Sequence, residues 1–264
     1  YAELRAAMAL LAYHGIGVFG RYHVILDDAG IRDIISQTGT HQFTWRALEC
    51  WAKSDAAGKF LSDTICPAGI PLRDWVKEFS PGGTYEAIAI EWLTAWGLDL
   101  KRFSEDRHAR NRASYGLNSL RGHSIEDILE AWRIIEEIWR LCEPVGREPF
   151  HILDHYLLAK VLQVAHHAIR SLGKASDDEA DLNEVAATSE ELLGADEDFE
   201  DRILSLIDSI GPVGSPTLVK ILTSDPKSQP RIFDLALRQD DVGVPGQHLQ
   251  VLARAVLLLR LATG

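Results

Sequence analysis

The residues best suited to hold a charged ligand lie in a basic segment at residues 101–121. The segment has two acidic residues, Glu105 and Asp106, against six basic ones: Lys101, Arg102, Arg107, Arg110, Arg112 and Arg121. It is therefore strongly positive within a chain whose net charge is −12. Such a segment is either a solvated helix face or a surface that binds phosphate groups.

Three histidines have a spacing that metal ligands can use. His151, His155 and His166 fall within about 60° of one another on a helical wheel. At about 1.5 Å of rise per residue, His155 and His166 nevertheless lie about 16 Å apart along a helix, which is too far for one ion. His151 and His155 lack the intervening Glu of a zinc-protease helix and an evident third ligand. The sequence predicts no metal and no cofactor.

Other catalytic motifs are missing or incomplete. Gly15, Gly17 and Gly20 are not followed by the Lys-Ser/Thr of a phosphate-binding loop, and no G-x-S-x-G nucleophile turn occurs. Residues 207–222 resemble a helix-hairpin-helix DNA-binding element, but Gly211 and Gly214 are one residue too far apart and Pro212 removes a donor. A plain turn between two helices is the favoured interpretation, and DNA binding by residues 198–264 is the alternative.

The elements that must position these residues are predicted to be helices. Residues 124–142 have the clearest amphipathic pattern, with apolar residues at steps of three and four, a charged opposite face and Pro144 after the end. Further helices are predicted at about 2–14, 42–60, 85–96, 101–116, 150–171, 198–210, 215–223 and 247–262. No sustained period-two alternation is evident, so the predicted fold class is all-α.

An acidic segment is predicted to divide the chain. Residues 175–201 contain twelve acidic residues and no Lys or Arg, which is typical of a linker or an exposed helix. The predicted organisation is a helical domain with a Trp-rich insertion at 1–172, the acidic linker at 173–202 and a smaller C-terminal helical region at 203–264. Outside the acidic segment, the 27 basic residues are balanced by as many acidic ones, so the total charge indicates little about partners.

Composition narrows the class of protein further. The 264 residues are 46% hydrophobic, and the three cysteines, Cys50, Cys66 and Cys142, have no C-x-x-C spacing. This pattern fits free thiols in the cytoplasm better than disulfides or a zinc site. Apolar runs such as residues 256–259 are far shorter than the roughly 20 residues that cross a membrane. The sequence predicts a cytoplasmic protein that does not enter a membrane.

Two runs of the sequence resemble the HEPN superfamily. Residues 4–23 (LRAAMALLAYHGIGVFGRYH) and 108–142 (HARNRASYGLNSLRGHSIEDILEAWRIIEEIWRLC) are similar to the first and later helices of those bundles. The characteristic run of the family is Arg, often followed by Asn, with His a few residues later. Arg110 and Asn111 match its opening, whereas Tyr115 stands where His would be expected.

The resemblance implies a helical bundle, often dimeric, and in many members a metal-independent ribonuclease. Such cleavage needs a cation for the charge growing on the phosphate and a base for the 2′-hydroxyl. Arg110 suits the first role, and His108 is the nearest base because a phenol titrates only near pH 10. Asn111 and Tyr115 complete the candidate catalytic set. The candidate nucleic-acid-binding residues are Arg102, Arg107, Arg112 and Arg121.

The sequence thus predicts an HEPN-like, RNA-associated protein of a prokaryotic defence or toxin–antitoxin system. Whether it is a ribonuclease stays open, because position 115 is Tyr. One alternative is a non-catalytic helical adaptor that assembles with a partner protein, and another is a DNA-binding helical module. The expected partners are RNA, a partner subunit and further copies of the chain.

Overall fold

A computed structural model describes residues 2–27, 29–35, 38–80, 88–100, 103, 125–146, 149–175, 197–210, 216–224, 229–238 and 247–263. Within these residues, no helix is both long and apolar enough to cross a lipid bilayer.

The described part of the chain is mainly helical, as the sequence predicts. Its helices are α1 (Ala2–Tyr13), α2 (Thr40–Ala52), α3 (Asp55–Thr64), α4 (Leu72–Phe79), α5 (Ala89–Ala95), α6 (Ile125–Cys142), α7 (His151–Ala175), α8 (Glu197–Ile210), α9 (Pro216–Leu222), α10 (Arg231–Leu237) and α11 (Gln247–Ala262). A short 3₁₀ turn spans Pro67–Gly69. Of the helix predicted at 101–116, only Phe103 lies within the described residues.

A small antiparallel sheet corrects the expectation that the chain has no strands. Strands β1 (Ile16–Phe19), β2 (Tyr22–Asp27) and β3 (Gly30–Ile35) pair in that order. One face buries Val18 and His23, and the His23 ring stacks on Phe43 of α2 with 3.6 Å between ring centroids. The other face exposes Phe19, Tyr22, Leu26 and Ile31. Because both faces carry apolar residues, the polar–apolar alternation by which strands are recognised is absent.

The predicted helix at 42–60 is divided into α2 and α3. The hydroxyl of Ser54 donates to the Trp51 carbonyl over 2.6 Å and accepts the Ala57 N–H over 3.4 Å. Ser54 thus satisfies backbone groups at the end of one helix and the start of the next. Helices α4 and α10, of eight and seven residues, were not predicted.

The first of two compact units comprises Tyr1–Gly58, Trp96–Arg140 and Pro230–Gly264. Helix α1 packs against α11, α2 and β1, and α10 also packs against α11. Leu10, Leu11 and Phe233 are fully buried in this unit, and the Trp45 ring stacks on Phe103 at 4.7 Å between centroids. The core thus joins helices from both ends of the sequence.

The second unit comprises Lys59–Ala95 and Leu141–Gln229. Its longest helix, α7, contacts α4, α5, α9 and the 3₁₀ turn, while α8 packs against α4. Trp75 and Trp92 are buried here, and the indole N–H of Trp75 donates to the Pro67 carbonyl over 3.2 Å. These contacts make α7 the central helix of the second unit.

A side chain at Gly97, in the first unit, would collide with α10. Its φ is +87°, and a Cβ placed there would lie 2.6 Å from the Cβ of Ala236 and 3.1 Å from the Phe233 carbonyl oxygen. We expect Gly97→Ala to lower the free energy of unfolding by about 2–4 kcal/mol, because backbone strain and overpacking add.

The matched control is Gly20→Ala. Gly20 also has a positive φ, +56°, but nothing lies within 4 Å of its added Cβ. We expect this variant to lose about 1 kcal/mol, from backbone strain alone. Urea denaturation followed by circular dichroism compares the two variants, and equal losses would show that α10 does not approach Gly97 this closely.

Candidate protein-docking surface on helix α6

The residues that the sequence singles out for chemistry lie outside the described residues. They are the candidate catalytic residues His108, Arg110, Asn111 and Tyr115 and the candidate nucleic-acid-binding residues Arg102, Arg107, Arg112 and Arg121. Their proximity to one another stays a prediction. The most unusual surface of the described residues is instead on α6, which begins four residues after Arg121.

The side of α6 that faces the first unit carries two carboxylates. Glu130 forms an ion pair with the Arg231 guanidinium, and Oε1 of Glu137 accepts the backbone N–H of Ile232 over 3.1 Å. Ile134, between them along the helix, is 1% exposed. These contacts attach α6 to the first turn of α10.

The pKa values of Glu130 and Glu137 are shifted in opposite directions. The hydrogen bond from Arg231 lowers the pKa of Glu130. Burial raises the pKa of Glu137, partly offset by the Ile232 N–H and by the charge of Arg231. Glu137 is thus held against α10 despite the cost of desolvating its charge. Both contacts fix the rotation of α6 about its axis.

The opposite side of α6 is apolar and exposed. It presents Ile125 (74% exposed), Ile128 (61%), Leu129 (52%), Trp132 (68%), Ile135 (50%) and Trp139 (71%). These six residues, the α6 stripe, follow one another at steps of one, three or four along about 21 Å of helix. Their exposed surface is roughly 800 Å², which exceeds the 300–600 Å² of the largest apolar patch on a typical monomer.

The exposed apolar side of α6 is unusual for a surface helix. A surface helix usually turns its apolar stripe to the core and its charges to water. Here Glu130 and Glu137 face the protein, while Trp132 and Trp139 face outward. The other five tryptophans of the chain are at most 6% exposed: Trp45, Trp51, Trp75, Trp92 and Trp96. The sequence predicted the bounds and amphipathicity of α6, but periodicity does not indicate which face meets the core.

The histidines considered as metal ligands lie in two different environments. The rings of His151 and His155 touch edge to face, with 4.2 Å between centroids. His166 packs against Phe199 at 5.2 Å and Phe79 at 6.4 Å between ring centroids. Among the residues for which the structure gives positions, no group of three or more His, Cys, Asp or Glu could hold a metal ion.

The buried histidines make the fold sensitive to acid. Burial lowers the pKa of His166, although Asp198 raises it slightly, and burial lowers the pKa of His14 and His23 as well. The unfolded chain therefore takes up protons near pH 6.5 that the folded chain does not yet bind. We expect the free energy of unfolding to be highest above about pH 6.5 and to fall as the pH is lowered.

The His166→Phe variant tests this pH dependence, because it keeps an aromatic ring and removes one titrating group. Its loss of stability between about pH 7 and pH 5 should be smaller than that of the parent chain. Leu204→Gln, at a position of α8 that is 46% exposed, removes no titratable group, so it is the matched control and should keep the parent slope. Parallel curves for His166→Phe and the parent chain would contradict the prediction.

No protein-family model, curated protein or solved structure matches this chain.

Proposed function

We propose that this protein is an assembly subunit that acts by binding another polypeptide through the α6 stripe. The observation that carries the proposal is the exposed apolar side of α6, where two tryptophans and four aliphatic residues face water while Glu130 and Glu137 contact α10. Removing apolar surface from water contributes about 25 cal/mol per Å² and is the main favourable contribution to most protein association. Tryptophan is also enriched among the residues that dominate binding energy.

The spacing of the stripe favours a helical partner. Its residues recur at i, i+3, i+4 and i+7, which is the pattern by which an amphipathic helix packs against another helix or into an apolar groove. Binding of this kind requires no catalytic residue. It corresponds to the adaptor alternative that the sequence left open.

Photo-crosslinking of the full chain in the cells that produce it tests this function. A benzophenone amino acid replaces Trp132, and the matched control carries it at Leu259, which is 47% exposed on α11. We expect irradiation to join the chain to one polypeptide of discrete mass from position 132 only. Absence of a product at position 132, or the same products from both positions, would contradict the proposal.

RNA binding by the basic segment is the second candidate function. It is supported by the charge of residues 101–121 and by the Arg110-Asn111 run that resembles the HEPN motif. In this hypothesis the chain is an HEPN-like member of a prokaryotic defence or toxin–antitoxin system. If it cleaves RNA, Arg110 stabilises the phosphate charge and His108 acts as the base.

Incubation of purified protein with RNA in excess chelator tests the second function. We expect salt-dependent binding, and loss of any cleavage in the His108→Ala/Arg110→Ala double variant. Cleavage that persists in the double variant would remove both residues from the site. A wild-type chain that neither binds nor cleaves RNA would remove the RNA hypothesis.

A further inference from the structure

We infer that the partner of the α6 stripe is a basic amphipathic helix of another polypeptide, which places a Lys or Arg against Glu136. This inference rests on the proposed docking function of α6 and names the chemistry of its partner. Ion pairs beside an apolar helix–helix seam determine which partner a helix accepts. Glu136 therefore determines the specificity of a surface whose apolar residues supply the affinity.

The stripe has the spacing of one side of a helix pair. Ile125, Trp132 and Trp139 are spaced by seven residues, and Ile128 and Ile135 lie between them, so these five correspond to the two core positions of a heptad. The residues that follow the two isoleucines of the second set, and those that precede the two tryptophans, flank the seam. They are Leu129 and Glu136 on one side and Ala131 and Ile138 on the other.

Glu136 is the charged residue of this flanking set. It follows Trp132 by four residues and precedes Trp139 by three, so it lies beside both tryptophans on the helix surface. Its side chain is 51% exposed, and its Oε1 accepts a hydrogen bond from Arg140 over 2.6 Å. A carboxylate has about four acceptor sites, so one guanidinium leaves sites for a second cation.

Covering the two tryptophans also removes water from the Glu136 carboxylate. Desolvating a charge costs free energy unless a hydrogen-bonding partner of opposite charge replaces the water. Arg140 supplies part of that compensation, but its own side chain is 73% exposed and it follows Trp139, on the side of α6 that turns away from the seam. A Lys or Arg at the edge of the partner helix supplies the rest.

A second copy of this chain does not bring such a cation to Glu136. Flanking residues meet across the seam of a helix pair, and those of α6 include no Lys or Arg. A parallel copy of α6 would set Ala131 or Ile138 against Glu136, and an antiparallel copy would set Leu129 or a second Glu136 there. Charge complementarity therefore favours a helix from a different polypeptide, with basic flanking residues.

Two designed peptides test the inference with the purified full chain. Each is a helix of about three heptads with Leu at both core positions, and the flanking positions are all Lys in one peptide and all Glu in the other. The like charges within each peptide also keep it monomeric. We expect fluorescence anisotropy of labelled peptide at low ionic strength to show about tenfold tighter binding of the Lys peptide.

Substitutions on α6 locate this preference. Glu136→Gln should reduce the tenfold difference between the peptides to about threefold, because an exposed ion pair contributes up to about fivefold in affinity. Glu126→Gln is the matched control, since this exposed carboxylate follows Ile125 on the side turned away from the seam, and it should leave the difference unchanged. Trp132→Glu should abolish binding of both peptides, although it adds a negative charge. Circular dichroism confirms that the variants fold.

The other outcomes overturn the inference in distinguishable ways. Equal affinities, or tighter binding of the Glu peptide, contradict a basic partner but retain the docking of a helix on the stripe. An equal loss in Glu126→Gln contradicts the role of Glu136. If neither peptide binds, an amphipathic helix is not the partner, and the crosslink from position 132 separately decides the docking function. A dimer of the peptide-free chain that Trp132→Glu abolishes in sedimentation velocity shows that a second copy occupies the stripe.

Discussion

Replacing Arg254 with Met is expected to lower the free energy of unfolding by about 3–5 kcal/mol. Glu3 of α1 is 1% exposed, and its Oε1 accepts from Nε of Arg254 on α11 over 3.1 Å. Arg254 also reaches the Ala236 carbonyl over 3.4 Å and lies 5.8 Å from the centre of the Phe103 ring. Losing the cation leaves the Glu3 carboxylate buried without the charge that offsets its desolvation.

A double-mutant cycle separates this charge effect from packing. The Glu3→Leu/Arg254→Met double variant should be more stable than Arg254→Met, because it no longer buries a carboxylate that has lost the Arg254 cation. Arg5→Met, at an exposed position of the same helix as Glu3, is the matched control and should change stability by less than about 0.5 kcal/mol. Urea denaturation measures the free energy of unfolding of the parent chain, of the single variants Glu3→Leu and Arg254→Met, of their double variant and of Arg5→Met. A loss for Arg254→Met no larger than that for Arg5→Met would contradict the prediction.

Replacing Trp132 with Glu is expected to weaken association through the α6 stripe at least about a hundredfold. The substitution removes the large apolar side chain at the centre of the stripe and places a charge where water is excluded on binding. Because Trp132 is 68% exposed, the free energy of unfolding of the isolated chain should change by less than about 0.5 kcal/mol. The variant therefore tests association while leaving the stability of the folded chain nearly unchanged.

The matched control for this variant is Leu259→Glu. Leu259 is an exposed aliphatic residue outside the stripe, at 47% exposure, so its replacement introduces the same charge without affecting α6. Crosslinking from a benzophenone amino acid at Ile135, within the stripe, gives the yield of the partner complex for both variants, and thermal melts give their stabilities. If Trp132→Glu associated as tightly as Leu259→Glu, the stripe would not be the binding surface.

The sequence by itself determined where several helices of the described residues begin and end. The patterns at 247–262, 198–210 and 124–142 agree with α11, α8 and α6 to within one residue at each end. These bounds depend on helical periodicity and on nearby Gly, Pro and polar residues, which are local properties of the chain. The mainly helical class follows from them.

Long-range contacts determined the features of the fold that the sequence did not predict. The sheet at residues 16–35 was not predicted, because its strands are short and apolar on both faces. Nothing in either helix indicates that α1 packs against α11 or that Glu3 pairs with Arg254, because those positions are 251 residues apart. A helical period identifies the apolar face of a helix. Whether that face is buried or exposed depends on contacts with distant segments of the chain. For α6, Glu130 and Glu137 contact α10, and only the tertiary structure shows that the apolar face is consequently left exposed.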